Sequence, residues 1–226
     1  MQPLTLSGHP LALLPCGAAF LPAEGLLLVA DAHFGKAQSF RRLGVPVPEA
    51  TTAHTLERLT SAVARTGARG IVFLGDFLHA ARGRSAAVLE QLARWRDAQA
   101  HLSLTLVRGN HDDRAGDPPP ALGISVVDEP LRVGPFALCH HPRPLPGAYV
   151  LAGHWHPCIR VGGRAFDRLR LPCFWFGDDS GESASQAVGV LPAFGSFTGM
   201  HPIQPRPRDR VFVTADEQVR ELPLCG

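Results

Sequence analysis

Five short stretches of the sequence combine carboxylate, amide and imidazole side chains in a pattern that suits metal binding. Each stretch follows an apolar run typical of a buried strand, so its polar side chains fall at a strand end. The stretches are Asp31-Ala32-His33, Gly75-Asp76, Arg108-Gly109-Asn110-His111-Asp112, Cys139-His140-His141 and Gly153-His154-Trp155-His156. A lone aspartate in such a place is more often a turn or a helix cap. Five strand ends with matching chemistry favour one shared site.

The candidate ligands offer only oxygen and imidazole nitrogen atoms. They are Asp31, His33, Asp76, Asn110, His140, His154 and His156. A donor set without thiolates suits Mn²⁺, Fe or Zn²⁺ rather than a structural zinc finger. Seven ligands are too many for one small ion and fit two, with a carboxylate bridging ions about 3.5–4 Å apart. Asp76 is the predicted bridge because it leaves a central strand.

Three apolar runs predict the strands that position the first ligands, at residues 25–30, 71–74 and 102–107. A helix is expected over residues 49–66, and a second helix after Ser85, whose hydroxyl can cap it. The order strand–helix–strand–helix–strand implies parallel pairing with right-handed crossovers. Ligands then bind beyond the carboxyl ends of the strands, where the aspartates and the asparagine fall.

The residue pattern changes after residue 117, where short apolar runs alternate with glycine and proline turns. This alternation predicts a second, mostly antiparallel sheet. The chain shows no internal repeat and no linker, so its 226 residues are predicted to form a single domain, residues 1–226.

Composition narrows the functional classes. No apolar run approaches the roughly 20 residues that span a bilayer, and the start lacks the charged region of a signal peptide. The five cysteines form no C-x-x-C pair, which favours the reducing cytoplasm. The net charge of +2 is too small to identify a nucleic-acid partner. Lys36 is the sole lysine among 22 basic residues. A GC-rich genome is preferred to phosphate binding as the explanation of that bias.

In order and spacing, these motifs resemble the calcineurin-like metallophosphoesterases, over residues 31 to 156. The stretch from Gly75 to His79 is most similar to the SbcD-related nuclease branch, because many relatives carry aspartate where His79 stands. A narrower resemblance, carried by residues 30–36, 40–48 and 191–199, is to the bacterial ligase-associated DNA damage response endonucleases. It implies an α/β (α+β) fold, a two-sheet β-sandwich flanked by α-helices, and a dinuclear phosphodiesterase usually supported by Mn²⁺.

The resemblance also implies a role for each ligand. Asp31, His33 and His156 would hold the first ion, and Asp76 would bridge. Asn110, His140 and His154 would hold the second ion. His140 is preferred to His141 because it directly follows the apolar run, as in the family, although His141 remains an alternative.

Such a pair of ions would neutralise the phosphate and lower the pKa of a bridging water, and the hydroxide would attack in line. His111 is the candidate that stabilises the transition state or protonates the leaving alkoxide, a contribution of roughly 10²- to 10⁴-fold. In many relatives an aspartate orients this histidine, but the matching position here is His79. Asp112 is a second catalytic candidate that would orient His111, or it only caps a turn.

Substrate contacts are expected from loops near the metal face, where arginines would track a nucleic-acid backbone or remain solvated surface charge. The candidates are Arg41, Arg42, Arg82, Arg84, Arg108, Arg114 and Arg143, together with His79 and Trp155. Trp155 could stack a base or pack on the second sheet.

Three functions stay open at this stage. The first is a DNA endonuclease in DNA repair, for which the resemblance suggests a ligase, helicase or exonuclease as partner. The second is a phosphodiesterase or phosphatase for a small substrate such as a cyclic nucleotide or nucleotide sugar. The third, a non-catalytic scaffold, predicts eroded ligands, and the chain keeps all seven.

Overall fold

The computed structural model describes residues 1–48, 50–162, 168–179 and 187–224. Within these residues the protein forms two β-sheets. The first sheet contains seven strands in chain order. These are β1 (Gln2–Leu6), β2 (His9–Leu13), β3 (Ala19–Leu21), β4 (Leu26–Ala30), β5 (Gly70–Leu74), β6 (Ser103–Val107) and β7 (Ile124–Val127). Strands β1 to β4 pair antiparallel. Strands β4, β5 and β6 pair parallel as predicted, and β7, which was not predicted, pairs parallel with β6.

The second sheet contains nine strands from the carboxyl-terminal half of the chain. They are β8 (Leu131–Val133), β9 (Phe136–Leu138), β10 (Tyr149–Ala152), β11 (Pro157–Gly162), β12 (Arg168–Phe176), β13 (Val188–Val190), β14 (His201–Pro202), β15 (Arg210–Ala215) and β16 (Gln218–Leu222). Most neighbours are antiparallel, but β10 lies parallel to both β9 and β13, and β11 lies parallel to β14. The carboxyl ends of β9 and β10 therefore meet at the same edge.

In the part of the chain that the structure describes, four α-helices accompany the sheets. They are α1 (Lys36–Arg41), α2 (Thr51–Thr66), α3 (Ala86–Ala98) and α4 (Asn110–Ala115). The predicted helix over residues 49–66 is α2, although Glu49 lies outside the described residues. Helix α3 begins after Ser85, whose Oγ accepts a hydrogen bond from the N–H of Val88 at 3.3 Å, as predicted. The sequence reading missed α1 and α4, each only six residues long. No helix in the described ranges is long and apolar enough to cross a membrane.

Alternation along β4 shows how the layers are assembled. Leu27 and Val29 face the helices, where they pack with Leu59 of α2. Leu28 and Ala30 point the opposite way, into the layer shared by the two sheets. The fold is thus a two-sheet sandwich with helices on the outer face of the first sheet, as the fold-class prediction stated.

The carboxyl ends of the strands from both sheets meet at one rim of the sandwich. Ala30 and Val107 flank Leu74 in the parallel register of β4, β5 and β6, so the first three ligand-bearing turns begin level with one another. In the second sheet, Leu138 of β9 pairs with Leu151 of β10. The histidine-rich turns after those strands therefore also begin level.

The turn after β5 depends on Gly75, which has a φ of +78° and packs directly against the His140 ring. A methyl group at this position would overlap that ring. We expect Gly75→Ala to destabilise the fold by roughly 1–2 kcal/mol from left-handed backbone and by about 1–3 kcal/mol more from overpacking. Urea unfolding measures the sum of the two contributions as a loss in the free energy of unfolding.

The matched control is Gly67→Ala at the end of α2. Gly67 has a φ of +65°, but nothing lies within 4 Å of an added Cβ. This variant should lose only the backbone contribution. Equal losses of unfolding free energy in the two variants would contradict the contact between Gly75 and His140.

Candidate metal centre

Five of the candidate ligands have left-handed backbone. The φ angles are +52° for Asp31, +46° for His33, +51° for Asp76, +70° for His154 and +46° for His156. This region is uncommon for residues other than glycine, and such strain costs of order 1–3 kcal/mol per residue. A left-handed residue directly after an extended strand turns the chain sharply at the rim. Strain concentrated on these residues is typical of a functional site.

The first group of donor atoms comes from Asp31, His33 and His156, whose donor atoms lie within 4.8 Å of one another. His33 Nε2 lies 3.4 Å from His156 Nε2. His156 Nε2 lies 3.5 Å from Asp31 Oδ1. These are the three residues to which the family resemblance assigned the first ion.

The second group comes from Asn110, His140 and His154. His140 Nε2 lies 2.9 Å from Asn110 Oδ1 and 3.0 Å from His154 Nδ1. Asn110 is on the first turn of α4, which starts where β6 reaches the rim. These are the three residues that the resemblance assigned to the second ion.

Asp76 lies between the two groups. Its Oδ2 is 3.7 Å from His33 Nε2, and its Oδ1 is 3.5 Å from His140 Nε2. The same Oδ1 accepts a hydrogen bond from the backbone N–H of His111 at 2.9 Å, which holds the carboxylate in this orientation. This is the position that a bridging ligand needs.

Backbone carbonyls aim the imidazoles. His140 Nδ1 donates to the Leu74 carbonyl at 3.1 Å, and His156 Nδ1 donates to the Gly199 carbonyl at 3.0 Å. Because a carbonyl only accepts, each neutral ring keeps the lone pair of its Nε2 for the centre.

Two buried polar atoms at the centre have no hydrogen-bond partner among the described residues, namely Asp31 Oδ1 and His33 Nδ1. A buried carboxylate oxygen without a partner is costly unless a cation or a proton compensates for it. Together with lone pairs that converge from two groups of oxygen and nitrogen donors, this orphaned oxygen shows that the residues fit divalent cations.

Burial controls the electrostatics of the centre. It lowers the pKa of His33, helped by the charge of Lys36, and it also lowers the pKa of His140 and of His154. Burial, and then the charge of Asp31, raises the pKa of Asp76. Neutral imidazoles are the form that binds metal, so the same burial that disfavours a carboxylate keeps these ligands ready.

His111 lies at the edge of the centre, with its Nε2 3.9 Å from Asp76 Oδ2. Its Nδ1 donates to the backbone carbonyl of His79 at 2.6 Å, so that carbonyl sets the tautomer. The His79 ring stacks on the His111 ring at a centroid distance of 4.8 Å and an angle of 24°. Burial, and then the charge of Lys36, lowers the pKa of His79 to about 4, so this ring is neutral at physiological pH.

Asp112 caps the turn, which is one of the two alternatives that the sequence left open. Its Oδ2 accepts from the N–H of Gly109 at 3.0 Å, and its Oδ1 accepts from the N–H of Leu78 at 3.2 Å. Burial raises the pKa of Asp112 to about 6. Oδ2 thus caps the start of α4, and Oδ1 joins the helix to the turn after β5. The His79 carbonyl, rather than Asp112, accepts the hydrogen bond from His111 Nδ1.

His141 differs from His140 in its surroundings. Its Nδ1 lies 3.1 Å from Glu129 Oε1, and its side chain is 43% exposed. Glu129 also accepts from the backbone N–H groups of His140 and His141 at 2.9 Å and 3.0 Å. Sequence reasoning missed Glu129, since a single glutamate before a proline carries no periodic signal. It positions the turn that carries His140.

Several of the arginines predicted to contact substrate are already bound to partners within the protein. Arg108 is paired with Asp117 and lies 3.4 Å from Asp128. Arg41 donates to the carbonyls of Val47 and Pro48. Arg143 pairs with Glu129 at 3.1 Å, and Arg84 donates to the Ala115 carbonyl at 2.8 Å. Arg42, in contrast, is exposed.

Lys36 is a half-buried basic group near the centre, and its position in the site was not predicted from the sequence. Burial lowers its pKa, and the charges of Asp31 and Asp76 oppose that shift. The two remaining arginine candidates, Arg82 and Arg114, are exposed.

A scan of protein-family models found no match, and a search of curated proteins also found none. Among solved structures, the chain is similar to the Pseudomonas putida nuclease MPE, with 42% identity over 98% of this chain and 99% of that chain and a TM-score of 0.83. It also aligns with YfcE, a phosphoesterase from E. coli, with 14% identity over 88% of this chain and 98% of that chain. The TM-score for YfcE, 0.42, is too low for a comparison of folds.

The likeness to the nuclease extends over nearly the whole of both chains, and it coincides with a rim of buried aspartates and histidines that fits metal ions. The chain therefore belongs to the calcineurin-like metallophosphoesterases, in the family of the Pseudomonas putida nuclease MPE, and is a metal-dependent phosphoesterase.

Proposed function

We propose that this protein is a phosphodiesterase that holds two divalent cations, Mn²⁺ by preference, and cuts DNA internally as part of DNA repair. The observation that supports it is the position of Asp76, whose two oxygens face two separate groups of donor atoms. Asp31, His33 and His156 would hold one ion, and Asn110, His140 and His154 the other.

The side chains of the centre keep their ligand atoms available for the cations. When bound, divalent cations supply charge neutralisation for the phosphate and lower the pKa of water. The neutral imidazoles of His33, His140 and His154 keep their lone pairs for the ions. The Asp31 carboxylate accepts the N–H of His154 through Oδ2 at 2.8 Å, which leaves Oδ1 aimed into the site.

His111 is the group placed to move a proton. Its Nδ1–H is held by the His79 carbonyl, so only Nε2 can exchange a proton with a substrate. In its protonated form this nitrogen donates to the departing alkoxide, and its positive charge faces the anionic phosphorane. The stacked His79 ring limits the directions in which His111 can turn.

DNA is proposed as the substrate because the relative with 42% identity is described as a nuclease. A small phosphodiester is the second candidate, since the centre acts on the phosphate whatever the ester carries. The two candidates differ in a simple way, because a closed DNA circle has no ends and requires internal cleavage.

We expect Mn²⁺ to restore cleavage of circular single-stranded DNA to protein that has first been stripped with a chelator. The measurement is conversion of the circle to linear and shorter products, alongside hydrolysis of a bis-aryl phosphodiester and of mononucleotides. Elemental analysis of the untreated protein identifies the resident ion. An intact circle beside rapid hydrolysis of small esters would favour the small-substrate function.

Asp76→Asn should lose metal and activity together. The amide cannot supply two anionic oxygens to two cations, so we expect the bound metal per chain and the phosphodiesterase rate to collapse while the fold survives. Elemental analysis measures the bound metal, a phosphodiesterase assay measures the rate, and circular dichroism checks that the fold survives. Asp128→Asn, at a side chain that is 91% exposed, is the matched control and should behave like wild type. Normal turnover with normal metal content in Asp76→Asn would remove Asp76 from the site.

His111→Ala should separate the two properties. Metal content should remain normal, because His111 lies outside both donor groups, and kcat should fall by roughly 10²- to 10⁴-fold. The loss should be smaller for an ester with an acidic aryl leaving group, which needs no proton, than for DNA. His101→Ala, at an exposed histidine between α3 and β6, provides the control. Loss of metal from His111→Ala would assign the residue a ligand role instead.

A further inference from the structure

An aromatic platform lies beside the metal centre. Trp155 stands between the candidate ligands His154 and His156, and its side chain is 41% exposed, an unusual exposure for so large an apolar group. Its ring stacks on Trp175 of β12, with centroids 5.4 Å apart and an angle of 23°. One indole thus supports the other from the second sheet.

The lower ring of this pair is fixed. Trp175 Nε1 donates to Asp209 Oδ2 at 2.8 Å, and the same oxygen accepts the N–H of Arg206 at 2.7 Å. Asp209 is itself only 9% exposed. A hydrogen bond of 2.8 Å from the N–H of Trp155 to the Gly153 carbonyl tightens the turn that carries the upper ring. The exposed indole is therefore held in a defined orientation, without a large entropic cost when a ligand stacks on it.

A cavity of about 450 Å³ opens beside the platform, within the size range of small-ligand sites. The two tryptophans form its apolar wall, and His154, His201 and Gln204 supply polar groups. His201 also lies near the centre, with its ring 6.3 Å from the ring of His156. The cavity thus reaches from the exposed indole to the candidate ligand His154.

We propose that Trp155, supported by Trp175, binds one unpaired nucleobase of a single-stranded DNA substrate whose phosphate sits at the metal centre. This proposal rests on the proposed function. Nucleotides carry a flat aromatic ring a short distance from the phosphate, and every base offers a π-face to an indole. A base within a duplex is already stacked and paired, so the platform favours single strands or distorted sites.

Two p-nitrophenyl phosphodiesters that share a leaving group test the platform. The first is an ester of thymidine, made as both the 5′ and the 3′ isomer, and the second is methyl p-nitrophenyl phosphate, which has no base. For Trp155→Ala we expect kcat/KM to fall on the order of 10-fold for at least one thymidine ester, mainly through KM. The methyl ester should change by less than about 2-fold. Trp155→Phe should restore most of the loss, because phenylalanine keeps a stacking face.

A binding experiment gives a result whether or not chemistry occurs. Fluorescein-labelled oligo(dT) and an abasic oligomer of the same length are titrated with wild-type and variant protein in the presence of Mn²⁺ and in its absence. Trp155→Ala should weaken binding of oligo(dT) on the order of 10-fold and leave the abasic oligomer unchanged. Leu169→Ala is the matched control, since Leu169 is 60% exposed, lies in β12 and does not line the cavity.

The outcomes separate the two proposals. If wild-type protein hydrolyses none of the esters with any divalent cation, the proposed function fails, and the binding arm alone decides the platform. If the esters are hydrolysed and Trp155→Ala affects all of them equally, or none, the nucleobase site is refuted while the phosphodiesterase stands. Equal weakening for oligo(dT) and the abasic oligomer would likewise refute it and leave the indole as a packing group or a protein-contact surface.

Discussion

The carboxylates of Asp31 and Asp76 are buried together at the meeting point of two sheets, at 0% and 2% exposure, and the rest of the site depends on how that burial is compensated. Burial and the charge of Asp31 raise the pKa of Asp76, and one oxygen of Asp31 has no hydrogen-bond partner among the described residues. Protein groups alone leave this arrangement unfavourable, because an uncompensated buried carboxylate is costly. A divalent cation removes that cost, so the rim is stable as a cation site and strained without one.

The histidines benefit from the burial that disfavours the carboxylates. Removal from water lowers the pKa of His33 and of His140, so both rings stay neutral and keep a lone pair. Carbonyl groups such as that of Leu74 then orient the rings from behind. The same device recurs at His111, where the His79 carbonyl fixes one nitrogen and frees the other. Ligand rings and the predicted proton donor are thus oriented by backbone, which side-chain substitution cannot easily disturb.

Strain in the turns is supported by the regular register of the strands below them. The turn residues Asp31 and Asp76 have left-handed backbone, yet Ala30 and Leu74 are paired partners in a parallel ladder. A backbone hydrogen bond of 2.8 Å from the N–H of His33 to the carbonyl of Asp76 joins the two turns. A rigid sheet can hold such conformations because the surrounding packing leaves no alternative. Precision at the site therefore comes from the sandwich rather than from the loops alone.

The local sequence determined which residue types stand at the strand ends. The order of strands and helices was enough to place Asp31, Asp76 and Asn110 at one edge, because parallel strands joined by helices end on the same side. Local patterns could not show that β9 and β10 run parallel, which brings His140 and His154 to the same rim. They also missed Glu129 and α4, and they left Trp155 between stacking a base and packing on the second sheet without indicating that Trp175 is its partner there. Each of these depends on contacts between segments distant in sequence, or on one hydrogen bond in a short turn. Periodicity carries no information about either, so only the tertiary structure decided them.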